Sequence, residues 1–322
     1  MVFGKTAGGA AVEKITLAAG ELVVSVLSLG AALQSVRLNG VAHDLTLGSE
    51  EVADYEGEMR YHGTLIAPMV NRIRGARAVI AGRERRFEAN LDGRHSLHSG
   101  AAGTHLKLWS VVARGADFVE LALDLPDGEG GFPGNRRVSA RFSVVAPATL
   151  RLEITAKTDA PTIFNATNHS YWTLNGAARW DGHRLRVAAD RVLPTDEDFL
   201  VTGEILPVEG SALDFRHARA ITPGAPPLDN CFCLADARQG LRDVAWLTSP
   251  SGDLEMTIAT TEAGLQVYDG RNAVRPGGKA YEGLAFEAHG WPDAPNNPAF
   301  PQSGLLPDQP LRQVTEWRFA RR

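Results

Sequence analysis

Apolar and polar residues alternate one for one in four separate stretches of this chain. Leu150, Leu152, Ile154 and Ala156 alternate with Arg151, Glu153, Thr155 and Lys157. Val138, Ala140, Phe142 and Val144 do so against Ser139, Arg141 and Ser143; Val119, Leu121, Leu123 and Leu125 form a third run, and Leu254, Met256 and Ile258 a fourth. A period of two buries one face of a strand and wets the other, the habit of antiparallel sheets. Turn dipeptides punctuate the runs at Asn39-Gly40, Asp92-Gly93, Asp127-Gly128, Asn175-Gly176, Asp181-Gly182 and Ser251-Gly252. Helical periodicity is nearly absent, with short helical turns expected only near residues 50–55 and 236–241. The pattern therefore predicts an all-β chain folded as a large antiparallel β-sandwich.

A length of 322 residues allows one very large domain or two ordinary ones. No composition break divides the chain, and the Pro-rich stretch at 223–228 is short, so residues 1–322 are expected to form a single domain. An apolar fraction of 44% suffices for a large core. The net charge of −5 is spread over mixed signs with no basic tract, which argues against a nucleic-acid partner. The apolar segment 22–33 lacks a basic flank and is too short for a bilayer; it reads as a pair of strands, with no membrane anchor or targeting signal. Cys231 and Cys233 stand one residue apart, where a disulfide is strained. They read as two thiols on one buried strand face, in keeping with a reducing cytoplasm. No second ligand pair stands at zinc-finger spacing, and no cofactor motif is present.

Residues with chemical potential fall in six short segments: Asn71-Arg72-Ile73; Leu97-His98-Ser99-Gly100; Asn168-His169-Ser170-Tyr171-Trp172; Asp229-Asn230-Cys231-Phe232; Gln266-Val267-Tyr268; and Phe286-Glu287-Ala288-His289 leading into Trp291. Singly, each has an ordinary reading. Asn168-His169 suits a turn, Asp229 a turn cap, His289 a rim position. Glu287 is sharper, because a carboxyl inside an apolar stretch must be paired, hydrogen-bonded or functional. Together the segments supply a carboxylate, imidazoles, a guanidinium and an amide, with Tyr171, Trp172 and Trp291 beside them. That is equipment for a carbohydrate, whose hydroxyls need polar partners and whose C–H faces prefer aromatic rings.

These segments, in this order, resemble the aldose 1-epimerase (galactose mutarotase) family. Asn71–Ile73, Leu97–Gly100, the Asp127–Asn135 loop, Asn168–Leu174, Asp229–Cys233, Gln266–Tyr268 and the closing Glu287 to Phe300-Pro301 element all take part. The match runs from about residue 15 to the C terminus. It departs at Ala288-His289, where the family usually has Thr-Gln, at Ser99 in place of Gly, and at Pro307-Asp308-Gln309 in place of Pro-Gly-Glu. The resemblance implies a large β-supersandwich, a free monosaccharide as substrate and no metal or cofactor. It places Glu287 as catalytic base and His169 as acid, with Arg72, His98, Asp229 and Gln266 at substrate-binding positions; Asn71 and Tyr171 lie in the same motifs and are expected to bind substrate too.

The chemistry implied is anomer interconversion. Opening a cyclic hemiacetal needs the C1 hydroxyl proton removed and the ring oxygen protonated, by a base and an acid expected on opposite sides of the ring. The acid limb of the resulting bell-shaped pH profile would report Glu287 and the alkaline limb His169. Three other readings stay open: a hexose-6-phosphate 1-epimerase, which would need cations for the phosphate; a carbohydrate-binding protein without turnover; and a glycosidase using Glu287 and Asp229. The chain is expected to be a monomer or homodimer.

Overall fold

A computed structural model describes residues 1–322. Each of the four alternating runs forms a strand: Phe118–Leu125, Arg136–Val145, Thr149–Thr158 and Leu254–Thr260. They lie in one nine-stranded antiparallel sheet that also takes in the C-terminal strand Leu311–Arg321. The register places Val138 against Ala156, Ala140 against Ile154 and Phe142 against Leu152, so apolar side chains stack on one face. The opposite face carries ion pairs such as Arg137–Asp124 at 2.9 Å and Arg151–Glu316 at 2.7 Å.

Two further antiparallel sheets complete the main architecture. One has four strands, all from the first 38 residues, and includes Leu22–Leu27 and Leu33–Leu38, the expected strand pair. The other has six, in the order Tyr171–Trp172, Leu284–His289, Gly264–Tyr268, Asp229–Cys233, Arg191–Leu193 and Leu206–Pro207. A core of 54 buried residues, running from Ile15 to Phe319, takes side chains from all three sheets. This is the all-β antiparallel sandwich that the alternation predicts, of the large supersandwich kind that the family resemblance implies. No helix is long and apolar enough to cross a membrane.

Of the two expected helical turns, one forms, as Val52–Glu56. The second does not: residues 236–241 make only bends. With Gly240 inside the segment and Leu241 exposed, no apolar face exists there for a helix to bury. Cys231 and Cys233 are free and buried together on the same side of their strand, in a small cluster with Trp291 and Phe300.

Candidate active site

The six-stranded sheet has a dry face and a working face. Leu284, Phe286 and Ala288 point into the main core, as do Leu265 and Val267 of the neighbouring strand. Alternation therefore turns Ala285, Glu287 and His289 to the other side, along with Gln266 and Tyr268, Asp229 and Cys231, and Tyr171. On an open sheet that side would meet water. Here it is covered, and all six residues of Leu284–His289 are buried.

Register then brings the two principal candidates together. Tyr171 pairs with Ala285 and Trp172 with Leu284. Two residues back along the same antiparallel register, His169 falls opposite Glu287. Its Nε2 lies 3.5 Å from Glu287 Oε1, and both side chains are about 95% buried. The expectation of an acid and a base on opposite sides of a ring is corrected by this geometry: no sugar ring fits in such a gap. The two groups stand side by side on the floor of one cleft of about 520 Å³.

The backbone around His169 is held firmly. Thr64 O accepts its N–H at 2.9 Å, while Gly63 N–H donates to its carbonyl at 3.0 Å. The Asn168 side chain donates to Gly63 O at 2.6 Å. Gly63 has φ +71°, and a Cβ there would sit 2.2 Å from Leu33 O, so only glycine fits this anchor.

The other candidates converge on the same cleft. Arg72 reaches Asp229 Oδ2 at 3.3 Å across 157 residues of chain. Asn71, Arg72, His98, Asp229 and Tyr171 all line the cavity. His98 Nδ1 accepts the Asn71 N–H at 3.1 Å. Burial holds His98 well below its ordinary pKa. A neutral ring whose Nδ1 accepts must carry its proton on Nε2, which makes His98 a hydrogen-bond donor. Gln266 is one step removed: it does not line the cavity, and its amide donates to Asp229 Oδ1 at 2.6 Å. One donor atom from each of His98, His169 and Glu287 lies within 4.8 Å of the others, so these three are the side chains that would hold a metal ion in the cleft.

Burial sets the protons. It pushes Glu287 up to about 8, with Asp229 adding to the rise and Arg72 opposing it. It pushes His169 down to about 4. Desolvation thus drives both groups toward their neutral forms. Between these two values the pair holds one proton in total. Glu287 Oε2 and His169 Nδ1 are buried without a protein partner.

Several readings of the neighbours change. Trp172 is fully buried in the main core, 5.5 Å from the Trp317 ring. Trp291 packs with the cysteines and donates to Ala263 O at 3.0 Å. Neither lines the cleft: alternation sends Trp172 into the main core, and Trp291, beyond the end of the strand, packs against the cysteines and Phe300. His289 is no rim residue: it is wholly buried, its Nδ1 2.5 Å from Gly290 O. The cleft also includes His62, Phe199 and Arg271, none of them anticipated. The His62 ring lies 4.4 Å from that of Tyr171, tilted by 34°, and burial lowers its pKa to about 3. The aromatic-polar pair Tyr61-His62 just before Gly63 was the available signal; Arg271 offered none.

The aldose 1-epimerase family profile matches residues 13–318. Mouse galactose mutarotase is 31% identical, over 99% of this chain and 97% of its own. Aldose 1-epimerase of Haemophilus influenzae is 30% identical, over 88% of each. Among solved structures, a galactose 1-epimerase from Lactobacillus acidophilus superposes with TM-score 0.87 at 27% identity, covering 100% of this chain and 98% of that one. An aldose epimerase homologue from C. elegans gives 0.89 at 25%, over 97% and 99%. With a β-supersandwich, an imidazole–carboxyl pair on a cleft floor and relatives matching from end to end, the chain belongs to the aldose 1-epimerase family.

Proposed function

We propose that this chain is a mutarotase that interconverts the α and β anomers of a free aldose, with Glu287 and His169 moving the protons. The observation that carries the assignment of roles is the 3.5 Å approach of His169 Nε2 to Glu287 Oε1 in the cleft. In a cyclic hemiacetal the anomeric oxygen and the ring oxygen are both bonded to C1, so the two proton-transfer sites are adjacent. Side-by-side groups therefore suit the reaction better than groups facing each other across the ring.

Glu287 as carboxylate takes the C1 hydroxyl proton, and His169 as imidazolium protonates the ring oxygen. The ring opens to the aldehyde, C1 rotates about C1–C2, and closure on the other face reverses both transfers. The working pair holds one proton in total, as does the resting pair. Passing it from Glu287 to His169 reaches the active form with no exchange with solvent. Arg72, Asp229, His98, Asn71 and Tyr171 hold the remaining hydroxyls, and Gln266 fixes the carboxylate of Asp229. The chain acts as one folding unit, a reading supported by a core whose members run from Ile15 to Phe319.

Polarimetry on freshly dissolved aldoses tests the activity, and Glu287→Gln tests the role. Wild-type protein accelerates mutarotation and the variant does not; a variant that keeps wild-type rates overturns the assignment of Glu287. Parallel rates on glucose and glucose 6-phosphate separate this activity from that of a phosphosugar epimerase. Arg72 and Arg271 are already engaged by Asp229 and Asp269, which favours the uncharged sugar.

A further inference from the structure

Among the large apolar side chains exposed on this protein, Phe199 is the one aromatic, at 42% exposure, and it stands on the wall of the cleft. Its backbone is unusual as well. Phe199 has φ +59°, a left-handed conformation that bulky residues rarely adopt and that costs free energy.

The surrounding loop is built to hold it there. Thr195 and Val201 bridge across the loop base. Asp196 Oδ1 accepts the N–H groups of Asp198 and Leu200, each at 3.0 Å, and Phe199 N–H donates to Asp196 O at 3.0 Å. Arg74 ties down Asp196 at 2.7 Å and Val201 O at 3.0 Å, while Arg94 holds Asp198 at 2.8 Å. The ring has two guanidinium neighbours, Arg72 at 5.5 Å and Arg271 at 5.7 Å from its centroid. An aromatic side chain is thus kept half-exposed, strained and braced from several sides at the entrance to a polar cleft. Were Phe199 only filling space, burying it in an unstrained conformation would be the lower-energy arrangement.

We propose that Phe199 is a specificity-determining residue of the cleft, an apolar platform on which the C–H face of the bound aldose ring stacks while its hydroxyls engage Arg72, Asp229 and His98. The inference rests on the mutarotase reading for the reaction and adds to it the residue that meets the sugar's apolar face. This wall selects on the continuity of C–H groups. In galactose the hydrogens on C3, C4 and C5 share one face, which makes it the better probe; xylose, without C6, is the weaker one.

The variant Phe199→Gly removes the ring and accepts φ +59° without strain, so the loop keeps its shape. Galactose KM and calorimetric Kd are expected to rise about tenfold in this variant, in line with the loss of one aromatic contact. The value of kcat should stay within twofold, the loss for xylose should be smaller, and Phe199→Trp should restore tight binding. Unchanged Kd in the glycine variant overturns the proposal. So does a fall in kcat at constant Kd, which would mean the ring acts by positioning Arg72. If wild-type protein binds galactose but does not accelerate mutarotation, the mutarotase reading fails, and the Kd comparison still decides the platform.

Discussion

Strands Arg136–Val145 and Leu284–His289 obey the same rule of alternation and put it to different ends. On the first, Val138, Ala140, Phe142 and Val144 enter the core while Arg137, Ser139, Arg141 and Ser143 between them stay exposed or half-exposed. On the second, both faces are buried. Leu284, Phe286 and Ala288 serve the core, while Glu287 occupies a covered cleft. The lesson is that a charge-bearing residue on a sheet is defined by what covers its face. Arg141 and Glu153 on the large sheet keep water as neighbour, whereas Glu287 loses it and its pKa climbs to about 8.

The contrast can be broken most forcefully at Glu287. Glu287→Gln should lower kcat by about 10²–10⁴-fold, the usual yield of a positioned proton-transfer group, with an unchanged circular dichroism spectrum. It should also stabilise the protein. A folded-state pKa raised above the unfolded value means stability is lost as pH rises through about 8. The variant lacks that loss, so its Tm should exceed that of wild type at pH 8 and the gap should close toward pH 5.

Phe142→Ala, in the core face of the large sheet, should do the reverse. It should cost about 3–5 kcal/mol by denaturant unfolding and leave kcat per folded molecule unchanged. A comparable loss of activity would mean that the two sheets are more tightly coupled than their separate uses imply.

The pH profile sharpens the comparison. With His169 near 4 and Glu287 near 8, kcat/KM should follow a bell between those values, falling about tenfold per pH unit outside it. Arg72→Ala should raise KM about tenfold, the cost of one charge-assisted contact. Because Arg72 opposes the rise in the Glu287 pKa, its removal should also move the alkaline limb to higher pH. Smallest of all, Arg137→Ala breaks an exposed ion pair with Asp124 and should change stability by less than about 1 kcal/mol.

Much of this molecule was legible in its residues, for reasons that are local. Alternation at 138–144 and 150–156 reflects burial of one strand face, which needs no knowledge of the partner strand. The motifs around Asn71, His98, His169, Asp229 and Glu287 could be named because their side chains are chemically distinctive. The failures are equally instructive. Trp172 and Trp291 adjoin polar motifs without facing the cleft: one step along a strand turns Trp172 into the core, and Trp291, past its strand's end, is held by packing against Phe300 and the cysteines. Phe199 was passed over inside an acidic run, since its exposure depends on a loop closed by Arg74 and Arg94 from far along the chain.

The sequence by itself determined the fold class, the sheet-forming segments and the cast of polar residues, because strand periodicity and side-chain chemistry are properties of neighbours in the chain. Only the tertiary structure decided that His169 comes within 3.5 Å of Glu287, that burial drives both toward their neutral forms, and that an aromatic ring stands at the cleft wall. Those are outcomes of register and desolvation, which exist only once segments a hundred residues apart have packed together and shut out water.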